Sequence, residues 1–324
     1  MKLIIQIPCY NEEATLPKTI ADLPRHIDGI SEIEFLIIND GSSDRTVEVA
    51  RECGVHHIVN FKQNKGLARG FAAGLDACLH LGADIIVNTD ADNQYCAEDI
   101  NKLIQPILEG KADIVIGQRP IDEIEHFSKK KKIFQHLGSW VVSEVSNADV
   151  ADTTSGFRAL SREGALRTNV INDFTYTLET IIQAGHSKIP IATVPIRTNP
   201  QTRESRLFKG INGYIKRSLP VIIRSFLTYK PLRFFVIIGT ILLVIGLIPG
   251  IRFLIFYFSG NGEGHVQSLL LATISILAGF QTISLGLLAD IIAANRKLIE
   301  DIQYRVRKIE CSELINLSDE KKNL

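Results

Sequence analysis

Ala83-Asp84-Ile85-Ile86-Val87-Asn88-Thr89-Asp90-Ala91-Asp92-Asn93-Gln94 is the stretch from which the rest of the chain is read. Its first part is an apolar run rich in β-branched residues, the mark of a strand buried on both faces of a sheet. Asp90 and Asp92 follow directly. Residues two apart in an extended chain project to the same side, so both carboxylates can face one ligand at the strand's carboxyl end. Open α/β sheets bind ligands there. Paired carboxylates with no basic residue beside them repel each other unless a cation lies between them, and hard oxygen ligands suit Mg²⁺ or Mn²⁺. A divalent ion that also holds a diphosphate fits such a pair. Taken alone, the stretch also reads as a polar turn, because Asp and Asn are common turn residues.

Upstream and downstream, strand-like runs alternate with helix-like segments from Lys2 to about Arg119: Leu3–Ile7, Phe35–Ile38, His57–Val59, Ile85–Val87 and Ile114–Ile116. That alternation predicts βαβ units, an α/β fold and a mainly parallel sheet. Ser43-Asp44 reads as a helix start, with Val47, Ala50 and Cys53 at helical spacing and Gly54 as the stop. Ile100, Leu103, Ile104, Ile107 and Leu108 form one apolar helix face before Gly110, and Pro106 is expected to kink or shorten that helix.

Two further polar clusters follow the first two strands, Pro8-Cys9-Tyr10-Asn11-Glu12-Glu13 and Asn39-Asp40-Gly41-Ser42-Ser43-Asp44. Acidic ends on three strands at one edge of a parallel sheet are explained together by a nucleotide site. Asp40 would accept hydrogen bonds from a base or ribose, and the backbone near Pro8 would shape its slot. Asn64-Lys65-Gly66-Leu67-Ala68-Arg69-Gly70-Phe71-Ala72-Ala73-Gly74 is neither a P-loop nor GxGxxG. It reads either as a helix whose small residues pack closely on the sheet or as a loop offering Lys65 or Arg69 to a nucleotide.

Bulk numbers exclude several classes. Lys+Arg and Asp+Glu are both 36 in 324 residues, so nothing suggests a polyanion partner and nucleic acid is excluded as the main one. The five cysteines lack a CxxC pair, which argues against a disulfide framework and for a reducing compartment. The eight histidines show no HExxH pattern, leaving carboxylates as the metal ligands. The apolar run ending at Pro8 is too short for a secretory signal core, so the amino-terminal part is expected in the cytosol.

Pro8-Cys9-Tyr10-Asn11-Glu12, Asn39-Asp40-Gly41-Ser42, Asn64-Lys65-Gly66 and Asp90-Ala91-Asp92-Asn93-Gln94 together resemble the family 2 glycosyltransferases with the GT-A (Rossmann-like) fold. Within that family the chain is most similar to the dolichyl-phosphate mannosyltransferase and polyprenyl-phosphate glycosyltransferase branch. The resemblance implies that Asp90, Asp92 and Gln94 belong to the metal and diphosphate site and that Pro8, Tyr10, Glu12 and Asp40 hold the nucleotide. Asn39 stands where many relatives have a first Asp, which leaves Asp40 as the base contact. Gly117-Gln118-Arg119 stands where the branch has an Arg near the sugar-phosphate. Asp152-Thr153-Thr154-Ser155-Gly156-Phe157-Arg158 matches a block lining the sugar and acceptor side, which brings in Ser155 and Arg158. Phe174-Thr175-Tyr176-Thr177-Leu178-Glu179 and Thr202-Arg203-Glu204-Ser205-Arg206-Leu207 complete the pattern.

The implied reaction is direct, inverting transfer of a sugar from a UDP- or GDP-linked donor to polyprenyl or dolichyl phosphate. The metal at Asp92, Asp90 and Gln94 would neutralise the departing diphosphate. Arg119, Arg203 and Arg206 would position the acceptor phosphate or the diphosphate, since guanidinium forks suit phosphate oxygens. Glu179 is the candidate base if the acceptor is a hydroxyl. Alternatives are an enzyme that extends a lipid-linked saccharide and an inactive nucleotide-sugar-binding membrane subunit.

Ser128-Lys129-Lys130-Lys131-Lys132 lies beside Phe127, Ile133 and Phe134. A block of like charge reads first as a solvated loop. The flanking apolar residues suit a segment that meets anionic lipid headgroups or an acceptor phosphate through Lys129 and Lys130.

The carboxyl-terminal third reads as membrane-bound. Phe234–Ile251 is 18 residues without a charge, the apolar pattern resumes from Arg252 to Phe258, and Ser268–Ala289 adds 22 more. Each run can span about 30 Å of hydrocarbon as a helix. Arg224, Lys230 and Arg233 before the first, Arg296 and Lys297 after the second, and no Lys or Arg in Ser259–Gln267 put both ends in the cytosol. Phe208 to Leu227 reads as an interfacial helix pair broken at Pro220.

The expected organisation is therefore a GT-A domain over 1–207, juxtamembrane amphipathic helices over 208–231, a transmembrane hairpin over 232–295 and a cytoplasmic tail over 296–324. The protein would sit in a cytoplasmic or endoplasmic-reticulum membrane. Ile299, Ile302, Val306 and Ile309 give the tail an amphipathic face, too short for a coiled coil, that suits a homo-oligomer contact.

Overall fold

A computed structural model describes residues 1–120, 152–170, 176–200, 224, 227, 230–260 and 266–322. The chain forms two compact units, Met1–Arg217 with Ile302–Leu324, and Ser218–Asp301.

In the first unit the apolar runs become β1 (Lys2–Cys9), β2 (Glu32–Asn39), β3 (His57–Asn60), β4 (Ile85–Asn88) and β5 (Ile114–Gln118). Between them lie α1 (Leu16–Asp22), α2 (Thr46–Glu52), α3 (Leu67–His80) and α4 (Ile100–Leu108). Four further elements follow: β6 (Arg158–Ser161), α5 (Arg162–Arg167), α6 (Thr177–His186) and β7 (Ile191–Pro195). Among the described residues seven strands form one sheet in the order β3-β2-β1-β4-β6-β5-β7. All pairs are parallel except those of β6, which runs antiparallel to both β4 and β5. The sheet is thus mainly parallel, with one reversed strand wedged between two that are consecutive in the first half of the chain.

Helices cover both faces, which is why the β-branched runs need not alternate with polar residues. Leu3, Ile5 and Ile7 pack with Leu16 and Ile20 of α1 and Leu103 and Ile104 of α4. Each such side chain contributes roughly 1.5–3 kcal/mol by leaving water. On the other face α3 lies close to the sheet, and a Cβ added at Gly74 would come 2.8 Å from the Ile38 side chain. Close packing is thus what the small residues of Asn64–Gly74 accomplish. Helix α2 runs from Thr46, just after the expected start at Ser43-Asp44, and Asp44 Oδ1 accepts the Thr46 N–H of its first turn at 3.0 Å, as a capping side chain does. Pro106 lies inside α4, which ends two residues later, and Gly110 turns the chain at φ 67°.

The second unit contains α7 (Pro231–Phe258) and the first part of α8 (Val266–Lys322). Both helices are long and apolar enough to be candidate membrane spans. Large apolar side chains face outward on each, Ile248 at 66 % and Phe280 at 67 % exposure, as lipid rather than water would favour. Small residues set their mutual approach: a Cβ at Gly239 would lie 2.8 Å from the Gly279 carbonyl, and one at Gly286 would lie 2.7 Å from Phe235 Cβ. Gly279→Leu is expected to force the pair apart at a cost of roughly 1–3 kcal/mol, typical of overpacking. The thermal unfolding midpoint of the purified chain in detergent should fall, whereas Ile274→Leu, on an exposed face, leaves it unchanged.

Beyond Asp301, α8 belongs to the first unit, so the compact units do not divide at the expected tail boundary. Arg307 makes an ion pair with Asp76 of α3 at 3.1 Å and donates to the Thr168 carbonyl and Asn169 Oδ1. Tyr304 donates to Glu163 at 3.1 Å under the Arg167 guanidinium. The docked face is the polar one. Ile302, Val306 and Ile309 are 59, 56 and 60 % exposed. The expected interfacial helix pair over Phe208–Leu227 lies outside the described residues except for Arg224 and Leu227.

Candidate active site

Strands β1, β2 and β4 are parallel, with Cys9 opposite Asn39 and Gln6 opposite Asn88, so their carboxyl ends share one edge. The loops that follow are stitched together. Asn11 donates its N–H to Ser42 Oγ at 2.9 Å and accepts from the Ser43 N–H at 2.8 Å, while the Glu13 N–H meets Asp44 and the Arg45 N–H meets Glu13. Burial, with the negative charges of Glu12, Asp44 and Asp90 added, pushes the Cys9 thiol up. That edge is acidic.

Pro8 is half-buried and Tyr10 exposes its ring beside it. Glu12 is buried; its carboxylate accepts from Thr15 Oγ1 at 2.8 Å, and its carbonyl accepts the Leu16 N–H at the start of α1. Asp40, expected at the base, has a structural task in the fold. It is buried, and its two oxygens accept the N–H groups of Lys65 and Gly66 at 2.6 and 2.9 Å. At Gly41, φ is 70° and an added Cβ would strike the Gln63 backbone. Asp40-Gly41 thus fixes the loop that carries Lys65, whose ammonium lies 4.7 Å from the Phe61 ring centroid.

After β4, residues alternate in burial: Asp90, Asp92 and Gln94 reach solvent while Ala91, Asn93 and Tyr95 do not. The stretch is held from both sides, by Thr19 Oγ1 on the Ala91 carbonyl, by Asn93 Nδ2 on Asp22, and by the Asn199 N–H on the Gln94 carbonyl. Asp92 Oδ1 accepts the Gln94 N–H at 3.2 Å. Among the described residues no group of three or more His, Cys, Asp or Glu could hold a metal. An ion at Asp90 and Asp92 could add Gln94, water and diphosphate oxygens to its shell, a pattern that suits Mg²⁺. Two carboxylates and an amide at one strand end fit that group.

Arg119, at the end of β5, is clamped by Asp152 through Nε at 2.7 Å and Nη2 at 3.0 Å, and by Thr154 Oγ1 at 2.8 Å. Burial works against its charge, but Tyr95, Asp152 and Asp90 more than restore it. Arg158 is a different case. It is 1 % exposed and spends its donors on the Ser155 and Thr153 carbonyls and on Thr180 Oγ1. Burial pulls its pKa down to about 10. These bonds tie the 152–158 block to α6; the phosphate contact expected of Arg158 is not among them. Ser155 is sealed as well, its hydroxyl buried without a hydrogen bond among the described residues. Glu179 is buried on α6. Arg203, Arg206, Lys129 and Lys130, expected on the acceptor side, lie outside the described residues, as do Phe174 and Thr175.

The pattern of acidic strand ends on a GT-A-like sheet is matched by a family model, glycosyl transferase family 2, over residues 4–167. The chain belongs to this family. It is a family 2 glycosyltransferase and therefore an enzyme. It is 30 % identical over 216 residues to the UDP-N-acetylglucosamine–dolichyl-phosphate N-acetylglucosaminyltransferase of Methanococcus voltae, covering 59 % of this chain and 83 % of that one. It is 29 % identical over 220 residues to the dolichol-phosphate mannosyltransferase of Pyrococcus furiosus, covering 65 % and 60 %. Its fold is similar to that of glucosyl-3-phosphoglycerate synthase from Mycobacterium tuberculosis, solved with Mn²⁺, uridine diphosphate and phosphoglyceric acid. The TM-score is 0.53 at 20 % identity, over 69 % of this chain and 78 % of that one.

Sequence reasoning quoted Asn88, Gly156 and Tyr176 within longer motifs without giving them a role of their own, and gave none to Gln6 or Tyr95; all five are buried behind the acids. The signal was available in Asn88, an amide closing a strand of isoleucine and valine where only a satisfied hydrogen-bonding partner permits it.

Proposed function

We propose that the enzyme transfers a sugar from a UDP- or GDP-linked donor to a polyprenyl or dolichyl phosphate at the cytosolic face of a membrane. One observation carries the reading: a family 2 domain with Asp90 and Asp92 reaching solvent at the β4 end is followed in the same chain by two candidate membrane spans. Relatives named for dolichyl-phosphate acceptors support the acceptor class. Lys and Arg flanking the spans, with none between them, support cytosolic ends.

Asp90, Asp92 and Gln94 would hold Mg²⁺ or Mn²⁺, which supplies positive charge to the departing diphosphate. The loop fixed by Asp40 presents Lys65, and the exposed Tyr10 ring offers a face to the nucleotide. Arg119, held in one plane by Asp152 and Thr154, places a fixed positive charge beside the acids. No strong base is needed, because a phosphate monoester with a second pKa of about 6 is already largely a dianion at neutral pH. The burial of Glu179 agrees with a reaction that does without it.

The test supplies the purified chain with Mg²⁺ or Mn²⁺, a panel of labelled UDP- and GDP-sugars, and a defined polyprenyl or dolichyl phosphate. A labelled glycosyl-phosphate lipid is expected from one donor. Product formed only when a lipid-linked saccharide replaces the lipid phosphate would instead make this an extending enzyme.

A further inference from the structure

Asp90 rests against a glycine whose peptide is gripped on both sides. A Cβ at Gly156 would lie 3.3 Å from each Asp90 oxygen and 3.0 Å from Tyr176 Oη, tighter than ordinary contact, so a side chain there would press the carboxylate or the tyrosine back by a few tenths of an ångström. The Gly156 N–H donates to Tyr95 Oη at 3.1 Å, and its carbonyl accepts from Asn88 Nδ2 at 2.8 Å. Asn88 has its orientation fixed in turn: Gln6 Nε2 donates to its Oδ1 at 2.9 Å, and its Nδ2 also reaches Tyr176 Oη at 3.0 Å. The two tyrosines are held flat, Tyr95 on Phe157 with centroids 4.9 Å apart and Tyr176 on Phe71 at 3.8 Å. All of these groups are buried, where each polar atom must be satisfied and where a satisfied network is rigid.

We propose that Tyr95 is a positioning residue for Asp90: its hydroxyl, by fixing the Gly156 N–H, holds the glycine wall that sets the carboxylate toward a divalent cation. This rests on the metal reading of Asp90 and Asp92. The acid and its support come from one short stretch, since the turn that exposes Asp90 and Asp92 also buries Tyr95. Partners that orient metal ligands typically contribute about 10–100-fold to metal affinity.

The test measures Mn²⁺ binding without turnover, by the loss of the free-ion electron paramagnetic resonance signal. The full chain in detergent is titrated with UDP present, and with GDP in a parallel series. Tyr95→Phe keeps the ring on Phe157 and removes only the hydroxyl. It is expected to weaken Mn²⁺ binding about 10-fold with an unchanged circular dichroism spectrum. Should that variant not fold, Gly156→Ala carries the test, with at least as large a loss expected. Wild-type Mn²⁺ affinity in a folded variant overturns the positioning role alone. A wild-type chain that takes up no Mn²⁺ with either nucleotide overturns the metal reading, and this inference with it.

Discussion

Replacing Asp92 by Asn is expected to lower kcat/KM for sugar transfer by roughly 10²–10³-fold, the usual cost of removing one electrostatic stabiliser of a developing charge. The change is nearly isosteric. Asp92 Oδ1 accepts the Gln94 N–H, and an amide oxygen can still accept it, so the turn after β4 should survive. What is lost is a negative charge toward the cation. Raising Mn²⁺ should therefore recover part of the rate, which a purely structural lesion would not allow. Initial rates over a Mn²⁺ series check both points. Turnover within about threefold of wild type, against the 10²–10³-fold loss named above, would remove Asp92 from the metal site.

The second large effect is expected at the Arg119–Asp152 pair. Asp152→Ala leaves a largely buried guanidinium without its carboxylate, a lesion that typically costs about 3–5 kcal/mol. Acid should produce part of the same loss. Burial alone would raise the Asp152 pKa, but the Arg119 charge and hydrogen bonds, with those of Thr154, hold it below the ordinary value of 3.8. A carboxyl depressed in the folded state contributes stability that is complete above its unfolded pKa of about 4 and disappears as pH falls through the folded value. Wild type should thus lose stability below about pH 4, and Asp152→Asn should show a flatter profile there. Unfolding midpoints of both proteins across that range decide the matter.

How far the fold was legible depends on where burial followed pattern. Strands β1, β2, β4 and β5 announced themselves because helices on both faces favour apolar runs, as in Ile4-Ile5 and Ile85-Ile86-Val87, and the partly exposed edge strand β3 by the shorter Ile58-Val59. Strand β6 did not, since Arg158-Ala-Leu-Ser has no such run and its arginine is buried by hydrogen bonds within its own block. Nor could its reversed insertion between β4 and β5 be foreseen, because pairing across so long a separation leaves no local trace. At the site, the charged strand ends could be read because exposed acids after apolar runs stand out. The network behind them left only one trace, the amide of Asn88 closing an apolar strand, since its other members are residues in a core, where periodicity has nothing to say. In the tail, hydrophobic spacing marked Ile299, Ile302, Val306 and Ile309 for a contact between copies, and those side chains are exposed; the docking of Tyr304 and Arg307 within the chain is made by polar residues that no hydrophobic spacing could announce.

Because Arg307 answers Asp76 and Tyr304 answers Glu163, truncating the gene ahead of the first apolar helix is expected to leave the first compact unit incomplete. Such a fragment would expose the polar seat of a missing partner and leave the carboxyl of Asp76 without its counter-ion. A version without the candidate spans is expected to need residues 302–313 grafted back through a linker or added as a separate peptide, so that the brace on the first unit is kept.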